Sequence, residues 1–121
     1  MPKAITDPRL LLARSMKEEG PGGLREQVEL LASQCGYVVR HIRDSRRQNV
    51  SDLPDLFLIR RGLPGRTMWV ELKREGKRPT PGQDLMMTLM GRAGLEVYLV
   101  HPSDLLAGTV LALLRGIGEK P

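Results

Sequence analysis

Cysteine, aromatic residues and long apolar runs are all scarce in this chain of 121 residues. Cys35 is the only cysteine, which excludes an internal disulfide and a cysteine-rich zinc site. Aromatic residues make up 3% of the chain, so base stacking on aromatic platforms is disfavoured as the main way of binding a nucleic acid. Neither a run of membrane-spanning length nor a signal-peptide pattern is found, and we expect a protein of the reducing cytoplasm that does not enter a membrane.

Positive charge is in excess and is concentrated in the middle of the chain. The net charge is +5, and residues 40–78 hold eleven Lys and Arg against five Asp and Glu. This imbalance favours a polyanionic partner, because phosphates provide sequence-independent affinity through counterion release. A solvated basic surface that only maintains solubility is the alternative.

The apolar patterns predict one α/β domain, a mixed four-stranded sheet with helices on both faces and the order α-β-β-β-α-β-α. Residues 1–23 are predicted to form an N-terminal helical arm, 24–115 the domain and 116–121 a tail. The arm helix is expected to run from Asp7 and Pro8 to about Glu19, and Ser103 to cap the last helix. The helix after Thr80 is expected to face the core with Leu85, Met86, Leu89, Met90 and Ala93.

Two apolar runs, residues 53–60 and 67–73, flank a Gly/Pro-rich break and predict a β-hairpin. Both runs are apolar on both faces, which is typical of strands inside a layered domain. Because side chains alternate along a strand, Glu71 and Lys73 share a face, and antiparallel pairing brings Asp55 opposite one of them. Two carboxylates and an ammonium group are therefore expected to meet on the sheet.

Three charges on otherwise buried strands are costly to desolvate unless a partner offsets the cost. Two carboxylate ligands with open positions suit Mg²⁺ or Mn²⁺. A nearby lysine can orient or deprotonate an attacking water, or stabilise charge on a phosphate. A structural ion pair between Glu71 and Lys73 is the alternative.

Downstream, Thr80-Pro81-Gly82-Gln83 matches the capping-box pattern, with Thr80 as N-cap, Pro81 at the first helical position and Gln83 at the third. Gln83 therefore has a structural explanation beside any role at the charged cluster.

The joint pattern of Pro54-Asp55, Glu71-Leu72-Lys73 and Gln83 resembles the PD-(D/E)XK nuclease signature, and specifically its small VRR-NUC (virus-type replication-repair nuclease) branch. The resemblance covers roughly residues 24–106. It implies a restriction-endonuclease-like core and metal-dependent phosphodiester hydrolysis. Asp55, Glu71 and the Leu72 carbonyl would be the metal ligands, Lys73 would act at the nucleophilic water, and Gln83 would support them.

The chain departs from this family at the first core helix, which usually carries a glutamate near the site. Glu26 lies almost opposite the apolar stripe of its helix, which favours a solvated position. Glu29 is also off the stripe, and Glu19 precedes the Gly/Pro break. The sequence therefore assigns no residue to this ligand position.

Two basic loops flank the expected site. Arg46 and Arg47 precede the hairpin, and Arg74, Lys77 and Arg78 follow Lys73. We expect these five side chains to hold nucleic-acid phosphates. Surface positions with no specific role are the alternative.

The sequence thus predicts a Mg²⁺- or Mn²⁺-dependent DNA endonuclease that is selective for branched DNA. A single small domain has little surface for base recognition, whereas backbone shape and charge suffice for a branch. Small stand-alone family members resemble Holliday-junction resolvases of DNA repair, and symmetric cutting of a junction implies a homodimer. A less selective phage or restriction-type nuclease, a non-catalytic nucleic-acid-binding module and a structural protein are the alternatives.

Overall fold

Nine helices and strands follow one another in the residues that the computed structural model describes, which are 7–42 and 52–116. The helices are α1 (Pro8–Ser15), α2 (Leu24–Gln34), α3 (Pro81–Arg92), α4 (Pro102–Leu106) and α5 (Thr109–Arg115), and the strands are β1 (Tyr37–His41), β2 (Leu56–Arg60), β3 (Arg66–Leu72) and β4 (Val97–Val100). No helix in this part of the chain is long and apolar enough to cross a membrane.

The four strands form one mixed sheet in the order β1-β2-β3-β4. The pairs β1/β2 and β2/β3 are antiparallel, and the pair β3/β4 is parallel. A parallel pair needs a crossover, which α3 provides. The predicted hairpin and mixed α/β sheet are confirmed. The predicted last helix is instead two helices, because Gly108 adopts a left-handed conformation (φ 82°) between them.

The hydrophobic core lies on one face of the sheet, where α2 and α5 pack. Its strand residues alternate with side chains that point to the opposite face, as strand geometry requires. Each fully buried aliphatic side chain contributes about 1.5–3 kcal/mol to this layer. The buried cluster consists of Met16, Leu24, Val28, Ala32, Tyr37, Leu56, Leu58, Met68, Val70, Leu72, Tyr98, Val100, Val110, Leu113 and Leu114.

The opposite face is covered less completely over β1, β2 and the first half of β3. We call this surface the open face. Ile59 is 42% exposed there, and neighbouring side chains are exposed or half-buried. The prediction that the hairpin strands are buried on both faces is therefore wrong for this half of the sheet. The open face consists of Val38, Arg40, Phe57, Ile59, Thr67 and Trp69.

Helix α3 also faces the core less than predicted. Leu85 and Leu89 are 60% and 50% exposed, and Met90 is the residue of α3 that is buried. The helix packs against β4 and adds no residue to the core cluster. The expected apolar face of α3 is therefore mostly uncovered, since no other described element lies over it.

The N-terminal arm folds back onto the domain. Asp7 caps α1 as predicted, accepting a hydrogen bond from the Arg9 N–H (2.9 Å), but the helix ends at Ser15 and not near Glu19. Met16 is extended and its side chain is buried in the core. The chain then reverses. Two backbone hydrogen bonds, from the Leu24 N–H to the Lys17 carbonyl and from the Arg25 N–H to the Glu18 carbonyl, hold residues 17–19 beside the start of α2.

The N-cap of helix α4 lies two residues earlier than predicted. His101 is its N-cap in place of Ser103, and the His101 N–H donates to the Asp104 carboxylate (2.8 Å). Pro102 occupies the first helical position, where its missing N–H is not needed.

Candidate active site

Asp55 immediately precedes β2 and is held against the end of β3. The strand register pairs Leu56 with Val70, so the next pair along the hairpin is Asp55 and Glu71. The Asp55 carboxylate also crosses to the neighbouring strand, where its Oδ2 accepts a hydrogen bond from the Leu72 N–H (2.8 Å). This bond fixes the orientation of the carboxylate.

Glu71 is the charged residue that is buried among the described residues, on the sheet face opposite the hydrophobic core. The residue is 1% exposed, its Oε2 lies 3.6 Å from the Lys73 Nζ, and its Oε1 is buried without a hydrogen-bond partner among residues 7–42 and 52–116. Burial, followed by the negative charge of Asp55, raises the pKa of Glu71 to about 7, and Lys73 opposes this shift. The ion pair with Lys73 therefore does not fully offset the cost of burying the Glu71 carboxylate.

The pKa of Asp55 is also raised. Burial is the main cause, and the Leu72 N–H and Lys73 act in the opposite direction. The carboxylates of Glu18 and Glu19 add to the increase in the pKa of Asp55. The site thus carries more negative charge than its one lysine neutralises, which is the electrostatic condition that favours a bound cation.

The residues present fit a divalent cation with a small protein ligand set. No group of three or more His, Cys, Asp and Glu side chains lies close enough to hold a metal ion within residues 7–42 and 52–116. Mg²⁺ is commonly held by one or two carboxylates, with water and substrate oxygens completing its shell. The orphaned Glu71 Oε1 is an available oxygen ligand next to Asp55.

Glu18 is an acidic neighbour that sequence reasoning missed. Its Oε2 accepts a hydrogen bond from the Arg74 N–H (2.9 Å), which ties the reversed N-terminal segment to the chain just beyond Lys73. Glu18 precedes the Gly/Pro break and follows no helical stripe. Only the long-range return of this segment brings it to the site, so no local pattern marks it.

The three glutamates considered for the first-helix position take other roles. Glu26 is exposed and accepts from the Gly22 N–H (3.0 Å), as its predicted solvated position requires. Glu29 and Glu19 both pair with Arg25, at 3.2 Å and 2.6 Å. Glu19 still contributes charge to the site through Asp55.

Gln83 closes the predicted capping box. Its N–H donates to the Thr80 hydroxyl (3.2 Å), and its side-chain Oε1 accepts from the Thr80 N–H (2.9 Å). The structural role of Gln83 is therefore confirmed, and a supporting role at the carboxylates stays a prediction.

The basic loop after β3 is fixed at both of its sides. Arg74, Lys77 and Arg78 are exposed. The Lys77 carbonyl accepts a hydrogen bond from His101 Nε2 (2.8 Å). The Ser103 N–H donates a hydrogen bond to the Glu75 carboxylate (3.0 Å). Positive side chains are thus presented from an anchored loop beside the carboxylates.

The other basic positions of the prediction, Arg46 and Arg47, lie outside the described residues.

Comparison of the chain with protein-family models, with curated protein sequences and with solved structures finds no significant match. The resemblance to VRR-NUC nucleases therefore rests on the motif residues alone.

Proposed function

We propose that this protein is a metal-dependent DNA endonuclease whose site is formed by Asp55, Glu71 and Lys73. The observation that carries the proposal is the buried Glu71 Oε1, which has no hydrogen-bond partner although it lies beside a second carboxylate. A purely structural ion pair would be expected to satisfy both oxygens, because an unpaired buried polar atom is costly. A divalent cation removes that cost.

Asp55 and Glu71 would hold Mg²⁺ or Mn²⁺, together with the Leu72 carbonyl that the family resemblance implies. A cation bound there would lower the pKa of a water and polarise a phosphate oxygen. Lys73 is positioned by Glu71 (3.6 Å), so its ammonium group can hydrogen-bond the attacking water or the phosphate as negative charge develops. The bond that breaks joins the phosphorus to one of its ester oxygens.

Charge beside the site supports a nucleic acid as the substrate. Arg74, Lys77 and Arg78 are exposed on the anchored loop that follows Lys73. Arginine and lysine side chains bind phosphates irrespective of base sequence. DNA with a branch is the substrate we propose, since a domain of this size has little surface for base recognition.

Cleavage of an end-labelled four-way junction and of a linear duplex with the same arm sequence tests this function. The reactions contain Mg²⁺, Mn²⁺ or EDTA, and Glu71→Ala and Lys73→Ala are compared with Arg14→Gln, an exposed charge change on α1. We expect metal-dependent nicking that both site variants lose and the control retains. Cleavage of both DNAs would keep the nuclease and remove the branch preference; binding without products in any metal would indicate a non-catalytic module.

Symmetric cleavage of a four-way junction also requires two active sites, and hence a homodimer. Light scattering at the concentration used for cleavage gives the mass directly. A monomer that nonetheless cuts duplex would leave the nuclease proposal intact and contradict the resolvase version.

A further inference from the structure

The chain has one Phe and one Trp, and neither belongs to the core. Phe57 and Trp69 are cross-strand partners on the open face, with ring centroids 4.8 Å apart and planes tilted by 48°. Both are only half-buried. Aromatic side chains usually dominate core energetics, so a phenylalanine and a tryptophan on a partly exposed surface give up stabilisation that burial in the core would provide.

A positively charged residue, Arg40, lies beside the aromatic pair in the same cross-strand row of the sheet. The register pairs Arg40 with Phe57, which is paired in turn with Trp69. Arg40 is exposed, and its guanidinium group donates a hydrogen bond to the Val39 carbonyl (2.9 Å). An aromatic pair flanked by an exposed arginine presents stacking surfaces next to a phosphate-binding group.

The open face leads directly to the candidate active site. Glu71 follows Trp69 by two residues on β3, so the two side chains lie on one face and are separated by roughly 7 Å along the strand. In the other direction the face ends at a groove of about 510 Å³, which is lined by Ile59, Thr67 and the exposed Arg61. Arg60 and Arg66 also border the groove, but their guanidinium groups bind the Leu114 carbonyl and the Glu96 carboxylate. The face thus connects the carboxylates with one further exposed arginine.

We propose that the open face binds unpaired nucleotides, whose bases stack on Phe57 and Trp69 while the exposed Arg40 and Arg61 contact the phosphates. This inference rests on the proposed function and adds the substrate class: a branch or end with a single-stranded segment beside the scissile phosphate. It also overrides the expectation from composition that stacking is disfavoured. Aromatic residues are few, yet two of them occupy one surface.

A second copy of this chain would be the other natural occupant of a half-covered sheet face. A two-fold dimer places the same surface against itself. Arg40 would then approach its own counterpart, with the exposed Arg61 on the same face, and like charges brought together oppose association. A nucleic-acid strand complements the same charges.

Because Trp69 is the only tryptophan, selectively excited tryptophan fluorescence reports on this face alone. The protein is titrated in EDTA, where no cleavage is proposed, with a 12-nucleotide oligo(dT) and with a blunt 12-base-pair duplex. We expect saturable quenching by the single strand and weaker quenching by the duplex. Phe57→Leu should weaken single-strand binding by about tenfold, in the range of one stacked base, and Arg40→Gln should weaken it severalfold while Arg14→Gln leaves it unchanged.

Three results would overturn the proposal. The first is binding of labelled oligo(dT), measured by anisotropy, without quenching of Trp69 fluorescence. The second is wild-type affinity for oligo(dT) in both Phe57→Leu and Arg40→Gln. The third is a shift of Trp69 emission that depends on protein concentration in the absence of DNA, which would identify a second copy of the chain on the face. The nuclease proposal is tested separately, because Glu71→Ala should lose cleavage and keep the quenching, whereas quenching without cleavage by the wild type would contradict the nuclease and leave the binding face.

Discussion

Replacing Glu71 by glutamine is expected to stabilise the metal-free protein and to abolish its response to metal. In the folded protein the pKa of Glu71 is raised from 4.5 to about 7. A carboxyl group with a raised pKa binds its proton more tightly when folded, so the protein loses stability as pH rises from about 4.5 to about 7. At about 1.4 kcal/mol per unit, the buried carboxylate costs on the order of 3 kcal/mol above pH 7.

Urea unfolding of wild type and Glu71→Gln, followed by circular dichroism in EDTA from pH 4 to pH 8, measures this cost. Glutamine keeps the side-chain volume and loses the ion pair with Lys73, so we expect the free energy of unfolding of the variant to exceed that of the wild type by about 1–3 kcal/mol at pH 8. This difference in the free energy of unfolding should fall toward zero near pH 4. Saturating Mn²⁺ at pH 8 should stabilise the wild type by about 3 kcal/mol at a hundred times its dissociation constant, and leave Glu71→Gln unchanged.

Glu26→Gln is the matched control. Glu26 is exposed in the first turn of α2, where a negative charge is favourable, so its replacement should lower stability slightly at pH 8. A stability difference between wild type and Glu71→Gln that does not change with pH would refute the assignment of an uncompensated buried charge. Equal stabilisation of both proteins by Mn²⁺ would place the metal elsewhere.

Three further variants test the packing and the chemistry. An added Cβ at Gly23 would lie 2.7 Å from the carbonyl oxygen of Glu19, so Gly23→Ala should lower the free energy of unfolding by about 1–3 kcal/mol. At Gly91 nothing lies within 4 Å of an added Cβ, so Gly91→Ala should raise the free energy of unfolding by about 0.5–1 kcal/mol. Equal effects of the two substitutions in urea unfolding would contradict the close approach at Gly23. Thr80→Ala opens the capping box and should cost about 1 kcal/mol in the same measurement, and an unchanged midpoint would show that the cap is not needed. Lys73→Met should reduce the single-turnover cleavage rate by about a hundredfold or more while DNA affinity by anisotropy changes only severalfold; a parallel loss of affinity would make Lys73 a binding residue.

The hairpin and its register follow from local rules. Alternation over β2 and β3 and the short Gly/Pro break leave little freedom in pairing, so the meeting of Asp55, Glu71 and Lys73 was predictable from the sequence. The capping box at Thr80 was predictable for the same reason, because its two hydrogen bonds join residues three apart.

What the sequence did not indicate depends on contacts between distant segments. Glu18 reaches the site only because Met16 enters the core and the chain reverses after it. The exposure of Leu89 depends on whether another element covers α3, and periodicity alone does not show this. The open face was missed likewise, since Phe57 and Ile59 are apolar whether or not a layer lies over them.

We propose that Asp55, Glu71 and Lys73 hydrolyse phosphodiester bonds with a divalent cation. The most direct measurement of this activity is the single-turnover cleavage rate of an end-labelled four-way junction in Mn²⁺ at pH 8, for wild type, Glu71→Gln and Arg14→Gln, each first shown to be folded. We expect cleavage by wild type and Arg14→Gln, no cleavage in EDTA, and a cleavage rate at least a hundredfold lower in the more stable Glu71→Gln protein. Cleavage by Glu71→Gln at the wild-type rate would contradict the proposal.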